Sequence, residues 1–100
     1  MLYNEFLNGT IDPTGTIIFT GTAAGTNVYA LRFSNPAAYD ITVSKYDSAL
    51  GVTFDLYTLN LAAGDIVNDS YNYQLRPNDY IKVTCSIAGT VYTGIVSYST

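Results

Sequence analysis

The side chains that could do chemistry in this chain are carboxylates and one thiol, because its 100 residues include no histidine. Without an imidazole, neither a Ser/His nor a Cys/His catalytic pair can form, and no imidazole is available to ligate zinc. The thiol belongs to Cys85, which alternates in phase with Ile81, Val83 and Ile87. This phase predicts a buried cysteine that packs in the core, and a single cysteine excludes an intramolecular disulfide.

Carboxylates are the second candidate chemistry, as calcium ligands or as a general acid and base. Their spacing matches no calcium-loop pattern, and Asp65 and Asp79 are explained by turns. Residues 61–66 and 75–80 share the order leucine, two spacers, Gly or Asn, Asp and an apolar residue. Gly64 and Asn78 tolerate positive φ, and each following Asp can accept bonds from backbone amides. We therefore predict two tight turns, no metal site, no cofactor and no enzyme activity. The carboxylates weighed are Asp40, Asp47, Asp55, Asp65, Asp69 and Asp79.

Composition and charge further limit the classes of fold and function that this chain could have. Charged residues make up only 12% of the chain and hydrophobic ones 48%, so one folded domain is expected. The net charge is −4 and the basic residues are scattered, which argues against direct nucleic-acid binding. No apolar run approaches the roughly 18 residues of a membrane helix, and the first residues do not resemble a signal peptide. We expect no membrane segment and synthesis in a reducing cytoplasm.

The elements that position these side chains are predicted to be strands. Turn residues punctuate stretches rich in Val, Ile, Thr, Tyr and Phe, which indicates an all-β fold. Strands are predicted at residues 16–20, 28–33, 41–46, 52–58, 80–87 and 91–98, with two short ones around Val67 and Tyr73. We predict an antiparallel β-sandwich over residues 13–100, jelly-roll-like or immunoglobulin-like, with about seven or eight strands. Its predicted core contains Leu31, Phe33, Val43, Phe54, Leu56, Ile81, Val83 and Ile95.

Residues 1–12 precede the first confident strand and are interpreted as an N-terminal docking arm. Leu2, Tyr3, Phe6, Leu7 and Ile11 give this segment a high apolar content. The spacing of its apolar residues is compatible with one or two helical turns. Apolar side chains left in water usually mark an interface, so we expect the arm to pack on a neighbouring subunit.

The ten tyrosines carry the remaining functional information. Tyr29 fits the core phase of its strand, whereas several others alternate away from it. These could form ordinary cross-strand aromatic pairs, a face for a protein partner, or a stacking platform for sugar. Tyrosine supplies large contact area at low entropic cost and is enriched in protein interfaces. The predicted interface residues are Leu2, Tyr3, Phe6, Leu7, Tyr46, Tyr57, Tyr71, Tyr73, Tyr92 and Tyr98.

The order of these strands and turns resembles that of small β-sandwich virion proteins of tailed bacteriophages. The resemblance covers residues 14–98 and is carried by segments 16–20, 28–35, 39–43 and 61–65 and by the closing hairpin. Such proteins decorate capsids or join head, neck and tail parts. The resemblance implies a non-enzymatic virion protein, made in the host cytoplasm, that binds other virion proteins of the capsid, neck or tail. We also expect it to form a homo-oligomer.

Two interpretations from other classes remain open. A carbohydrate-binding or adhesin-like module would need an aromatic row with adjacent amides, and Tyr71, Asn72, Tyr73 and Gln74 are the best local candidates. An enzyme, in the form of a carboxylate-dependent hydrolase, is the third alternative.

Overall fold

The computed structural model describes residues 2–23 and 25–99, and this part of the chain forms nine strands and no helix. The all-β prediction is confirmed. No helix of the described residues could therefore span a membrane. The strands are β1 (Leu2–Thr10), β2 (Thr16–Thr20), β3 (Thr26–Ser34), β4 (Tyr39–Asp47), β5 (Val52–Leu61), β6 (Ile66–Asp69), β7 (Tyr73–Leu75), β8 (Tyr80–Cys85) and β9 (Val91–Ser99).

The strand pairing is that of a jelly roll. One sheet has the order β1-β9-β3-β6, with β7 also on β3, and the other has the order β2-β8-β4-β5. If β6 and β7 are taken as one interrupted strand, the sandwich has eight strands in four antiparallel pairs. These are β1 with β9, β2 with β8, β3 with β6 and β7, and β4 with β5. This is one long antiparallel hairpin rolled up into two sheets, which favours the jelly-roll alternative over the immunoglobulin one.

The core lies between the two sheets, as the period-two pattern predicts. The structure buries five of the predicted core residues, each with at most 1% of its surface exposed. They are Leu31, Phe33, Val43, Ile81 and Val83. Strand β8 shows the simplest alternation, with Ile81, Val83 and Cys85 buried and the residues between them half-buried. Its two faces therefore separate as expected for a central strand packed on one side.

Phe54 and Leu56 are exceptions, and their assignment to the core is wrong. Their exposed fractions are 46% and 43%. For Leu56 a β-bulge explains the error, because Val43 pairs with Tyr57 while the next residue of β4 pairs with Asp55, which leaves Leu56 as the extra residue. The bulge brings Tyr57 into the inward phase. Phe54 keeps the inward phase in the register across β4 and β8, and it is exposed because β5 is an edge strand with a neighbour on one side only. Counting alternate residues across a bulge assigns the residues beyond it to the wrong face of the sheet.

A second bulge, in β3, explains why Tyr29 lies outside the predicted core phase. Tyr29 pairs with Ile95, but Arg32 pairs with Thr93, so β3 contains one more residue than β9 in this interval. Ala30 takes up the bulge with a φ of 54°. Because of this shift, Tyr29 is half-buried on the outer face. Strand β9 has no bulge, and its inward face is that of the fully buried Val96, so Ile95 is half-buried on the outer face and its assignment to the core is wrong.

The predicted N-terminal arm is a strand, so its helical interpretation is wrong. Leu2–Thr10 pairs with β9 along its whole length without a register shift. The segment then turns into the core, where Ile11 is completely buried and donates its backbone N–H to Thr90 O at 2.7 Å. Residues 2–11 are therefore part of the sandwich; whether they also dock on a neighbour stays a prediction.

The two repeated turns are confirmed. Gly64 and Asn78 have φ values of 79° and 69°. In the first turn the Asp65 carboxylate accepts a bond from Ala62 N at 3.2 Å, and in the second the Asp79 carboxylate accepts one from Arg76 N at 3.1 Å. Each carboxylate closes its own turn three residues back, so the shared sequence pattern reflects shared backbone geometry.

Cys85 is predicted to react slowly with thiol reagents in native buffer and rapidly in denaturant. Its exposed fraction is 8%, and its thiol lies 3.1 Å from Ile87 O and 3.6 Å from Ile11 O. A buried thiol reacts only when the structure opens. Labelling with Ellman's reagent, with and without urea, measures this difference. Labelling rates of similar size in native buffer and in urea would show that Cys85 is exposed and that β8 turns its other face to the core.

Candidate protein interface

The ten predicted interface residues lie in three regions of the sandwich. The first region is β1 with the adjoining face of β9 and contains Leu2, Tyr3, Phe6, Leu7, Tyr92 and Tyr98. The second lies where β5 meets β6 and β7 and contains Tyr57, Tyr71 and Tyr73. The third contains Tyr46 alone, on the opposite sheet. Whether any of them contacts a partner stays a prediction.

Strand β1 exposes the largest apolar side chains of the first region. Leu2 and Phe6 have exposed fractions of 67% and 69%. Phe6 pairs with Ile95, which in turn pairs with Tyr29, so the three side chains form a row across the outer face of the sheet. We call these three residues the outer row. It is an exposed apolar strip that ends at the edge of the sheet.

The inner face of β1 contacts its own domain, although Tyr3 on this face remains 40% exposed. Tyr3 stacks on Tyr98 with ring centroids 5.6 Å apart, and Leu7 packs against the core. The Tyr98 hydroxyl donates a hydrogen bond to the Glu5 carboxylate at 2.5 Å. This bond raises the pKa of Tyr98, because the carboxylate favours the protonated phenol. These contacts fix β1 on its own sheet.

Tyr92 and Gly9 form the other end of that inner face. They are paired across β1 and β9, and a Cβ atom built on Gly9 would lie 3.0 Å from the Tyr92 ring. The Tyr92 ring therefore lies over the glycine and packs against the core instead of pointing outward.

The second region is organised by the Asp69 carboxylate. Its Oδ2 accepts hydrogen bonds from the Tyr57 hydroxyl at 2.6 Å and from the Tyr73 hydroxyl at 2.5 Å, and its Oδ1 accepts one from Tyr71 N at 2.9 Å. Tyr57 comes from one sheet and Tyr73 from the other, so the carboxylate joins the two sheets along their open side. Tyr73 is buried in the core, at 4% exposure, whereas Tyr71 is 65% exposed.

This tyrosine cluster predicts a loss of stability in alkali. Burial, and then the hydrogen bond to Asp69, raises the pKa of both Tyr57 and Tyr73 above the ordinary 10.0. A pKa raised by folding stabilises the folded state below pH 10, and that contribution is lost as the pH rises beyond 10. Urea unfolding at pH 8 and pH 11 measures the loss, and Tyr57→Phe should reduce it. Titration of all tyrosines of the native protein together near pH 10 would contradict this account.

An open cleft of about 1460 Å³ lies at the end of the sandwich where β1 begins and β9 ends. The predicted interface residues that line it are Leu2, Tyr57, Tyr71, Tyr73 and Tyr98. Residues of both the first and the second region thus line this cleft. Among the described residues, no group of three or more histidine, cysteine, aspartate or glutamate side chains is placed to hold a metal ion.

Tyr46, the third region, stacks on Tyr80 with ring centroids 4.8 Å apart and planes at 16°. This pair lies on the outer face of the second sheet, where Thr42 and Thr58 share a hydrogen bond of 2.9 Å. The contact is a cross-strand aromatic pair, one of the alternatives that the sequence left open.

Sequence reasoning missed two parts of these regions. Tyr29 and Ile95 belong to the outer row but were placed in the core, and only the strand register could reveal the bulge. Asp69 was weighed as a metal ligand, whereas it binds two tyrosine hydroxyls. Its position in the sequence, two residues before a Tyr-Asn-Tyr segment, was the available signal.

Known structures share this fold at low sequence identity. One is a protein of the disulfide-linked pili that form Bacillus endospore appendages. The superposition covers 99% of this chain and 87% of the pilus protein, with a TM-score of 0.61 and 14% sequence identity. A pentameric capsid protein from metagenomic phage sequences matches 93% of this chain and 60% of its own, with a TM-score of 0.52 and 17% identity. The chain thus spans about three fifths of the capsid protein. No family model and no curated protein sequence matches this chain.

Proposed function

We propose that the protein is a non-enzymatic structural subunit of a bacteriophage virion that binds other virion proteins of the capsid, neck or tail. It would act as a capsid decoration or head–tail accessory protein and would assemble in the virion after synthesis in the host cytoplasm. The observation that carries the proposal is a jelly roll with a long, exposed and apolar edge strand. Such an edge offers both backbone bonds and apolar area to a neighbouring subunit.

The likeness to phage capsid protein supports this proposal through the fold. Several of the described carboxylates also have structural partners. Asp79 and Asp69 are held by hydrogen bonds within the domain, and Asp55 accepts one from Ser44 Oγ at 2.7 Å. A carboxylate occupied in this way is poorly placed to act as an acid or base on a substrate.

The carbohydrate alternative has less support from the geometry. A stacking platform needs neighbouring aromatic rings with free faces. Tyr73 is buried and gives its hydroxyl to Asp69, which leaves Tyr71 as the exposed ring of segment 71–74. The pilus likeness favours another second candidate, a subunit of a surface fibre, because nearly the whole chain matches one pilus protein.

The test is where the protein is found in cells that carry its gene. Quantitative mass spectrometry of gradient-purified virions should find it in a fixed ratio to the major capsid protein. Its presence in surface fibres and absence from virions would overturn the virion role in favour of the fibre role. Its presence only as free protein in the cell would overturn both.

A further inference from the structure

The four edge strands of the sandwich differ in how they are protected from pairing. Natural sheets protect edges with short strands, bulges, prolines and charges. Strand β2 has five residues and a register shift at Ile18, and β5 bulges at Leu56. The edge formed by β6 and β7 consists of four and three residues, with a gap at residues 70–72. These three edges are poor templates for another strand.

Strand β1 has almost none of these protections. It has nine residues, no proline and no register shift along β9. Its one charged side chain is Glu5, which accepts a hydrogen bond from the Tyr98 hydroxyl of its own sheet. Within residues 2–23 and 25–99, no strand pairs with the outer side of β1. Strand β1 therefore presents nine residues in regular geometry that have no partner strand on the side away from β9, and these form a template for one more antiparallel strand.

We propose that β1 pairs antiparallel with β1 of a second copy of this chain, about a two-fold axis at Phe6. This inference rests on the proposed function and deepens it, since it names a second copy as a direct partner. Phe6 would face Phe6 of the partner subunit, and Asn4 would face Asn8 of the partner subunit. A two-fold interface uses the same patch on both copies, and β1 is complementary to itself in this register.

The side chains favour this register over its neighbours. Centring the pair on Phe6 lets all nine residues of β1 find a partner, since Phe6 is the midpoint of Leu2–Thr10. Tyr3 then faces the smallest residue, Gly9 of the partner subunit, and Glu5 faces Leu7 of the partner subunit. Centring the pair on Glu5 instead would place two carboxylates opposite each other, which is destabilising.

The outer row gives the pairing its apolar contact. Because Phe6, Ile95 and Tyr29 are in register across β1, β9 and β3, the row would continue through the two-fold axis into the same row of the partner subunit. Phe6, which is 69% exposed in the single chain, would lie at its centre. The β1-containing sheets of the two copies would then form one continuous sheet with a shared apolar strip.

Cysteine cross-linking of the full chain tests both the pairing and its register. In the proposed register Asn4→Cys and Asn8→Cys face each other at about 4.5–5.5 Å between Cα atoms, within disulfide range. Mixing the two single variants under oxidising conditions should give a disulfide heterodimer. Asn4→Cys alone should give none, since its two copies would be about 13 Å apart along the strands. Cross-linking of Asn4→Cys alone, or none in the mixture, would overturn the proposed register.

Sedimentation equilibrium measures the association independently. Phe6→Lys places two ammonium groups at the two-fold axis and should weaken dimerisation more than tenfold. Ile66→Lys is the matched control, because Ile66 is 47% exposed on β6 at the opposite edge and should leave dimerisation unchanged. Circular dichroism checks that both variants fold. A parent protein that stays monomeric at 100 µM, or equal effects of the two variants, would overturn the inference.

These results are separable from the virion test. A monomeric protein that is nonetheless present in purified virions overturns the β1 pairing and leaves the proposed function standing. A dimer with the predicted cross-link that is absent from virions supports the pairing and overturns the virion role.

Discussion

Replacing Asp79 with alanine should destabilise the domain by about 3–5 kcal/mol, because it removes the acceptor of a buried hydrogen-bond network. Asp79 is completely buried. Its carboxylate accepts bonds from Ser48 N and Ser48 Oγ, both at 2.8 Å, as well as from Arg76 N. Arg76 also reaches Asp47 at 2.6 Å. The carboxylate thus ties the turn before β8 to the end of β4, and alanine would leave these donors without an acceptor.

Asp65 provides the matched control, because it occupies the equivalent position of the other repeated turn. It is exposed, and its carboxylate accepts one backbone bond, from Ala62 N. Asp65→Ala should therefore cost about 1 kcal/mol or less. Urea unfolding at pH 7 compares the two variants. Equal losses would show that Asp79 contributes only its local turn bond.

The same network predicts how stability depends on pH in acid. Burial alone would raise the pKa of Asp79, but the hydrogen bonds from Ser48 and Arg76 outweigh it and lower the pKa from 3.8 to about 2. A pKa lowered by folding stabilises the folded state above about pH 4, and this contribution is lost as the pH falls through 2. Asp79→Asn should flatten the stability curve between those values. If Asp79→Asn lost as much stability in acid as the parent does, the attribution of this loss to Asp79 would be wrong.

Phe33→Ala should cost about 3–5 kcal/mol, whereas Phe54→Ala should cost about 1 kcal/mol. Phe33 is completely buried between the sheets, and Phe54 is 46% exposed on the edge strand β5. The substitutions are chemically identical, so the difference reports burial and the cavity left behind. Thermal or urea unfolding of the two variants measures it. A Phe54→Ala cost equal to that of Phe33→Ala would show that Phe54 is buried in the core, as the sequence predicts.

Local sequence patterns predicted the elements of this fold well, for a physical reason. Turns depend on the few residues that accept positive φ, and Gly64 and Asn78 mark theirs directly. Uninterrupted strands depend on alternation, so the inward face of β8 followed from its sequence. Cys85 was correctly predicted as a core residue because it lies on such a strand.

Bulges and long-range contacts were not predictable in this way. The β3 bulge is at Ala30, a residue type with no preference for a φ of 54°, and the β5 bulge is at an ordinary leucine. Each reverses the phase within its own strand, which misplaced Tyr29 and Leu56. The contacts of Asp79 with Ser48, and of Tyr57 with Asp69, depend on how the sheets come together. No spacing within the chain encodes those distances.

Cryo-electron microscopy of intact virions from cells that carry the gene tests the central proposal most directly. The account predicts density for the nine-strand sandwich at symmetric positions on the capsid, neck or tail, in contact with other virion proteins. If the β1 inference also holds, pairs of copies will meet along β1. Virions whose density is fully explained by other proteins, with this protein left in the soluble fraction, would contradict the account.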